Sequence, residues 1–384
     1  MKKSKLTLVF VAVVLVFSIV LSGCGGNNVN NEKNVNDESG NAAKNDGKKA
    51  TIGIMLYNYT DIQGKEIKSY SSYLEKHFNV TFKYATIGTS EEEHITGLEN
   101  LLASGVDGVI SGYDTALEES VRLAEDAGVY YAVALGEADE NVKSDFFVGG
   151  VKQFGENAAE IGAAYAEQAH EKGVKNIAIT SFPAFAFLDA PAIISGFNAK
   201  MGELDDTVTV YDPEYHSFLP QNAVDAVTKI MSGHREVDAI FALGSGMDFV
   251  YPAVLDSTKP DVKVLALGYN DSTEAALENG TVLMAGTNNY SQSIADVFAQ
   301  LYDRINGHKY TDWKPNGSIN YVTMKSAEDV SDFKAYVIPA DKSKGSVTAE
   351  ELKQEMLTFN EQATWEGLQK LTSRTVSEIK QARQ

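Results

Sequence analysis

The chain has 384 residues, 43% of them hydrophobic, which is enough for two domains of ordinary size with real cores. Its formal net charge of −20 argues against nucleic acid or an anionic lipid surface as a partner, because both repel an acidic protein. A single cysteine excludes a disulfide framework and a Cys-based metal site, and we predict neither a metal nor a cofactor.

The first 24 residues have the pattern of an N-terminal export signal. Residues 1–5 are basic, residues 6–21 are almost wholly apolar, and Leu21-Ser22-Gly23-Cys24 closes the run. This pattern resembles a bacterial lipoprotein signal, in which a peptidase cuts before a lipid-modified cysteine. The resemblance implies that residues 1–23 are a signal peptide and that Cys24 carries the lipid. A plain secretory signal or a transmembrane anchor is the alternative, but the apolar run is shorter than the roughly 20 residues that span a bilayer.

The segment that follows predicts a tether. Residues 24–49 are rich in Asn, Gly, Lys and acidic side chains with almost no apolar content, so they cannot bury enough surface to offset the entropy of ordering. A lipid and a disordered tether would hold a globular body at the outer face of the cytoplasmic membrane without inserting it.

From residue 50 onward, short apolar or β-branched runs alternate with segments of helical spacing. The predicted strands are 50–56, 80–86, 108–111, 130–135, 177–181, 207–211, 239–243, 262–267 and 281–286. The predicted helices are 62–78, 91–103, 117–127, 154–171, 191–201, 222–231, 247–256 and 291–305. A strand followed by a helix, repeated, predicts an α/β fold of doubly wound parallel sheets.

This number of strands is too large for one compact sheet, so we predict two lobes joined by a multi-strand hinge. The N-terminal lobe comprises residues 50–148 with 287–321, and the C-terminal lobe 149–286 with 322–340. Residues 341–384 form a helical extension. Apolar residues at helical spacing predict one helix or a bent helix pair across the back of a lobe, with a partner-binding arm as the alternative.

Five segments carry a resemblance to a known family. They are TIGIML at 51–56, LASGVDGVI at 102–110, AGV at 127–129, VDAIFA at 237–242 and VLALGYN at 264–270. Over residues 50–338 the chain resembles type I periplasmic binding proteins, above all the ribose and galactose binders of ABC importers. The resemblance implies a monomer that closes on a ligand between its lobes and docks on a membrane permease powered by a separate ATPase. LacI-type repressors share this body, but they carry a helix-turn-helix where this chain has its export signal.

The chain departs from the ribose type at the loops that hold the sugar. Ribose-type proteins commonly have Asp-Arg after the fourth strand, an Arg entering a helix of the sixth unit, Asn-Asp after the eighth strand and Phe-Asp after the ninth. The corresponding pairs here are Gly136-Glu137, Ala190-Pro191, Gly244-Ser245 and Tyr269-Asn270. Pro and Glu cannot replace the planar donor fork of arginine, so the resemblance does not fix the ligand as a pentose or hexose.

The loops after the strands are where open parallel sheets bind ligands. They supply aromatic rings and short polar side chains, which suit a neutral polyhydroxyl ligand. The predicted ligand-binding residues are Tyr57, Asn58, Asp61, Tyr113, Asp114, Glu137, Phe187, Asp189, Tyr269, Asn270, Asn289 and Tyr290. For each ring the alternative is packing between the lobes. Glu137 and Asp189 would bind an amine or hydroxyl, or cap a helix.

No catalytic motif is present, because the chain lacks a nucleophile elbow, a zinc-protease motif and a phosphate loop, and its six histidines are isolated. We predict that it is not an enzyme, with no catalytic residues; a hydrolase on this scaffold is the alternative. The sequence predicts a lipid-anchored, extracytoplasmic solute-binding protein that delivers a small neutral ligand, foremost a carbohydrate, to an ABC permease. The alternatives are a sensor for a membrane histidine kinase and a binder of a nucleoside or autoinducer.

Overall fold

The computed structural model describes residues 47–384 except Thr89, Glu140 and Phe185. The predicted signal peptide, Cys24 and nearly all of the predicted tether lie outside the described residues. Within the described part of the chain, no helix is long and apolar enough to cross a membrane.

The N-terminal lobe is built on a sheet of six parallel strands. These are β1 (Ala50–Leu56), β2 (Val80–Thr86), β3 (Gly108–Ser111), β4 (Tyr130–Val133), β5 (Phe147–Lys152) and β12 (Asn316–Ser318). Their order across the sheet is β12-β5-β4-β3-β1-β2. The helices of this lobe are α1 (Ile62–His77), α2 (Glu91–Ala103), α3 (Leu117–Asp126) and α9 (Tyr290–Ile305). Two apolar clusters bury the strands, as the continuous hydrophobic runs predict.

The C-terminal lobe repeats this plan. Its strands are β6 (Asn176–Ser181), β7 (Thr209–Val210), β8 (Glu214–Tyr215), β9 (Ala239–Ala242), β10 (Lys263–Leu267), β11 (Val282–Asn288) and β13 (Tyr321–Met324). The order is β13-β11-β10-β9-β6-β7, with β8 also on β6, and β13 runs antiparallel to β11. Its α-helices are α4 (Ala158–Glu171), α5 (Ala190–Leu204), α6 (Pro220–Gly233), α7 (Tyr251–Leu255), α8 (Thr273–Glu278) and α10 (Ala327–Asp332). Residues Gly246–Val250 and Phe333–Val337 are π-helical.

The chain passes between the two lobes three times, after β5, after β11 and after β12. β5 stays in the first sheet through Lys152, because Val151 lies in the core of that lobe, so the division falls after residue 152 rather than after 148. The third passage is the short link between β12 and β13. These passages form the hinge, and the α/β prediction of two parallel-sheet lobes is confirmed.

Two glycines allow α4 and α5 to cross with their backbones in contact. A Cβ atom at Gly162 would overlap the carbonyl oxygen of Ile193, and one at Gly196 would overlap that of Ala159. This close crossing fixes the start of α5, which faces the gap between the lobes.

The extension, residues 341–384, contacts both lobes. It contains a 3₁₀ turn (Lys342–Lys344) and three α-helices, α11 (Ala349–Gln354), α12 (Trp365–Thr372) and α13 (Val376–Ala382). The prediction of one helix or a bent pair is therefore wrong, because threonine N-caps start each of the three helices anew.

The two ends of the extension pack on different lobes. Leu368 on α12 lies in the core cluster of the N-terminal lobe, and Thr372 Oγ1 donates to Asp296 Oδ2 on α9 at 2.8 Å. Ile379 on α13 lies in a core cluster of the C-terminal lobe. The extension thus covers more than the back of one lobe.

Candidate functional site

The carboxyl ends of β1, β3 and β4 lie at one edge of the first sheet, and those of β6, β9 and β10 lie at one edge of the second. Parallel strands place the loops that follow them at one edge of each sheet. We call the gap between these two edges the cleft. Ile62, at the start of α1, packs against an apolar cluster of the C-terminal lobe, so the two edges lie near each other.

An aromatic pair lies on the N-terminal side of the cleft. The rings of Tyr57 and Tyr113 stack with centroids 4.1 Å apart and an interplanar angle of 13°. The Tyr113 hydroxyl accepts a hydrogen bond from Gln63 Nε2 at 2.6 Å, and burial raises the pKa of Tyr113 well above its usual range. Tyr57 and Tyr113 are both half-buried, so part of this apolar platform remains available to a ligand.

Three carboxylates from the two lobes interact through their charges: Asp189 of the C-terminal lobe, and Asp114 and Glu137 of the N-terminal lobe. Burial, together with the negative charges of Glu137 and Asp114, raises the pKa of Asp189, at the start of α5, to about 6. Lys152 acts in the opposite direction. Asp114 Oδ2 accepts from the Glu137 backbone N–H at 3.3 Å, and burial raises the pKa of Asp114 as well. Asp189 makes no side-chain cap bond to α5, so its carboxylate is not used as a helix cap.

A second pair of carboxylates spans the cleft at Asp61 and Asp248. Desolvation raises the pKa of Asp248, and the charge of Asp61 adds to that effect. Asp61 caps α1 by accepting from the Gly64 N–H at 2.7 Å. Asn270 uses its amide donors within its own lobe, on Met247 O at 2.9 Å and Asp248 Oδ1 at 3.1 Å.

The hinge supplies the floor of the cleft. Asn288, the last residue of β11, donates from Nδ2 to Gln153 Oε1 at 3.0 Å, and its buried Oδ1 has no hydrogen-bond partner. Burial raises the pKa of Tyr290 to about 12, and the charges of Asp61 and Asp248 contribute, so this ring also lies near the acidic side chains. Phe187 packs against Phe154, with ring centroids 5.4 Å apart.

Three predicted site residues serve the fold instead. Tyr269 is 3% exposed and packs edge-on against Phe333 in the core. Asn289 is 1% exposed, and its Oδ1 caps α9 and accepts from Ser346 Oγ at 3.1 Å. Asn58 Oδ1 accepts two bonds from Thr60, which closes a local turn. We therefore leave Tyr269 and Asn289 out of the site. Asn58 stays in the site only through its Nδ2 group, because its Oδ1 is used in the turn.

Sequence reasoning missed Asp248, Asn288, Gln63 and Gln153. Asn288 had a recognisable signal, because a polar residue that ends a buried strand needs a partner. Asp248 had none, since it lies three residues beyond the loop after β9 on a turn of π-helix.

A cavity of about 650 Å³ belongs to the C-terminal lobe alone. Its lining includes Phe182, Pro191, Ile194 and Tyr215, between α5 and β8. Because no residue of the other lobe lines it, closure of the lobes would not enclose its contents.

The comparisons with known proteins agree on the fold. The sequence model of the periplasmic binding protein domain matches residues 52–309. A search of curated proteins found no significant match.

Solved structures resemble the two lobes. One is a solute-binding protein of an ABC transporter from Bacillus halodurans with bound myo-inositol, at 17% identity and a TM-score of 0.60, covering 75% of this chain and 98% of that one. Another, from Actinobacillus succinogenes with bound D-allose, has 15% identity and a TM-score of 0.60 over 74% of this chain and 100% of its own. A third, from Burkholderia graminis with D-arabinose, has 16% identity and a TM-score of 0.60 over 74% and 98%.

Proposed function

This chain belongs to the periplasmic binding protein family, and on that premise we propose that it is a lipid-anchored solute receptor that captures a carbohydrate and delivers it to an ABC permease. Cys24 would hold it at the outer face of the cytoplasmic membrane, as a monomer. The ligand would bind in the cleft, between Tyr57 and Tyr113 on one side and Asp189 on the other.

The observation that carries this proposal is the composition of the cleft. A stacked tyrosine pair offers an apolar face, and carboxylates and an amide oxygen from both lobes offer acceptors for hydroxyl groups. The relatives solved with myo-inositol, D-allose and D-arabinose bind polyhydroxyl compounds on this fold. A ligand that contacts both lobes shifts the hinge toward the closed form by its differential affinity.

The family match is to a periplasmic binding protein domain, which favours binding over hydrolysis. Among the described residues, no group of three His, Cys, Asp or Glu side chains is placed to hold a metal ion. We therefore propose a binding role without turnover. A sensor for a membrane histidine kinase would use the same closure, so it remains the second candidate.

A thermal-shift screen of the full chain in detergent tests the proposal against pentoses, hexoses, cyclitols, nucleosides and amino acids. A ligand at 100 times its dissociation constant should add about 2.7 kcal/mol of stability. We expect a shift with at least one polyhydroxyl compound and no chemical change in the recovered ligand. A shift with a nucleoside or amino acid alone would contradict the carbohydrate proposal, and a modified ligand would contradict the binding role.

Transport and sensing separate in reconstituted vesicles. Ligand-loaded protein should stimulate ATP hydrolysis by its cognate permease and ATPase if it serves import. Stimulated phosphorylation of a kinase, with no effect on a permease, would favour sensing.

A further inference from the structure

The cleft carries an excess of negative charge. Its carboxylates come from both lobes and are Asp61, Asp114, Glu137, Asp189 and Asp248. Two lysines act on them, Lys65 on Asp61 and Lys152 on Asp189. Lys152 also pairs with Glu156, at 3.1 Å, so only part of its charge opposes Asp189.

The arginines of the chain do not balance this charge. The chain has five arginines, and all lie outside the cleft. Arg122 pairs with Glu119 and Asp126, and Arg374 and Arg383 both pair with Glu351. Arg304 donates to the Asp145 carbonyl, and Arg235 lies in the loop before β9. Among the described residues, no side-chain cluster is placed to hold a metal ion that would supply the missing charge.

The hydrogen-bonding groups of the cleft show the same imbalance. Most amide donors are used within the protein: Gln63 Nε2 on Tyr113, Gln153 Nε2 on the Leu135 carbonyl, and Asn270 Nδ2 on Met247 and Asp248. The Asn58 amide and the Tyr113 hydroxyl still offer donors, but the carboxylate oxygens and the Asn288 amide oxygen outnumber them. Asn288 shows this independently of charge, because it is 8% exposed, its amide donor is taken by Gln153, and its Oδ1 has no partner.

Closure adds a further demand on the ligand. Asp61 and Asp248 come from opposite lobes, and so do Asp114 and Asp189, and each pair repels. A neutral sugar would leave that repulsion in place as the lobes approach. A ligand with an ammonium group would reduce it while supplying three donors and no acceptor.

We propose that the ligand is an aminated polyhydroxyl compound, such as an amino sugar or aminocyclitol, whose ammonium group lies between Asp189 and the Asp114–Glu137 pair. Its hydroxyl groups donate to the remaining acceptors, and its ring lies against the tyrosine platform. This inference rests on the proposed function, and it replaces the neutral ligand expected from sequence with a cationic one.

The test is calorimetric titration of the full chain in detergent with matched ligands. These are glucosamine against glucose and N-acetylglucosamine, and scyllo-inosamine against myo-inositol, with putrescine as a cation that lacks hydroxyls. For at least one pair we expect the amine to bind at least about tenfold more tightly than its neutral partner. Raising NaCl from 50 to 500 mM should weaken binding of the amine and leave the affinity for its neutral partner unchanged. This measurement needs no variant.

Variants then locate the effect. Asp189→Asn should remove most of the amine preference, whereas Asp261→Asn, an exposed carboxylate before β10 at the opposite edge of the sheet, should leave it intact. Melting of each unliganded variant verifies that it folds. An amine preference that persists in both Asp189→Asn and Asp114→Asn would overturn the assignment.

The remaining outcomes separate this inference from the proposed function. Neutral sugars that bind as well as their amines would overturn the inference and leave the carbohydrate receptor standing. If no polyhydroxyl compound binds, or putrescine alone does, both are overturned.

Discussion

A buried ion pair joins the extension to the first helix of the N-terminal lobe. Lys342 Nζ lies 2.6 Å from Glu66 Oε2 and 2.7 Å from Oε1, and both side chains are almost fully buried, at 5% and 7% exposure. Ser291 Oγ donates to the same carboxylate at 2.6 Å. Replacing Lys342 with Met would leave this carboxylate buried with a single hydroxyl for a partner.

We expect Lys342→Met to reduce the free energy of unfolding by about 3–5 kcal/mol, the usual cost of an uncompensated buried charge. The double variant Glu66→Gln, Lys342→Met removes that charge and keeps an acceptor for Ser291. It should therefore be at least about 2 kcal/mol more stable than Lys342→Met alone.

Equilibrium urea unfolding, followed by tryptophan fluorescence, measures these differences. The chain has two tryptophans, and both Trp313 and Trp365 pack against the core of the N-terminal lobe. The matched control is Lys334→Met, which breaks an exposed Lys–Glu pair of 2.5 Å and should cost no more than about 1 kcal/mol. The reasoning is refuted if Lys342→Met costs as little as this control, or if the double variant is no more stable than Lys342→Met.

Three further predictions concern packing and charge. Leu368→Ala, at a fully buried position of α12, should cost about 2–5 kcal/mol in the same unfolding assay. Gly162→Ala should destabilise the protein because its Cβ would overlap α5, whereas Gly202→Ala, with open space around it, should be neutral or stabilising by up to about 1 kcal/mol. Equal free energies of unfolding for Gly162→Ala and Gly202→Ala would contradict the close crossing of α4 and α5. Asp189 has a folded pKa of about 6, above its unfolded value, because of burial and of the charges of Glu137 and Asp114, with Lys152 opposing them. Its ionisation therefore destabilises the fold above pH 6, and that penalty disappears as the pH falls toward 4. The gain in melting temperature from Asp189→Asn should be larger at pH 7.5 than at pH 4.5, and a gain independent of pH would contradict this.

Strand and helix positions could be predicted because buried parallel strands leave continuous apolar runs between helical segments. β1, β2 and β3 begin and end at the predicted residues. Four strands were not predicted: β5, β8, β12 and β13. The two or three residues of β8 and β12 carry no periodicity, and Gly149 and Gly150 interrupt the apolar run of β5.

Side-chain direction at the strand ends was the part that sequence could not supply. Tyr269 follows β10 as predicted, but Gly268 adopts a φ of +146°, and the chain that leaves it places the ring on Phe333 in the core. Asn288 and Asn289 are adjacent, yet one remains at the cleft floor and the other caps α9. Such choices depend on neighbours distant in sequence, as Ser346 and Gln153 show.

The extension also sets a mechanical limit on how far the lobes can separate. α12 is fastened to the N-terminal lobe and α13 to the C-terminal lobe, and only Ser373, Arg374 and Thr375 connect them. An extended chain covers at most about 3.6 Å per residue, so the Cα atoms of Thr372 and Val376 can be no more than roughly 14 Å apart. While both helices remain docked, this three-residue linker connects the lobes in addition to the three hinge passages. It therefore sets a maximum distance by which the lobes can separate at this point.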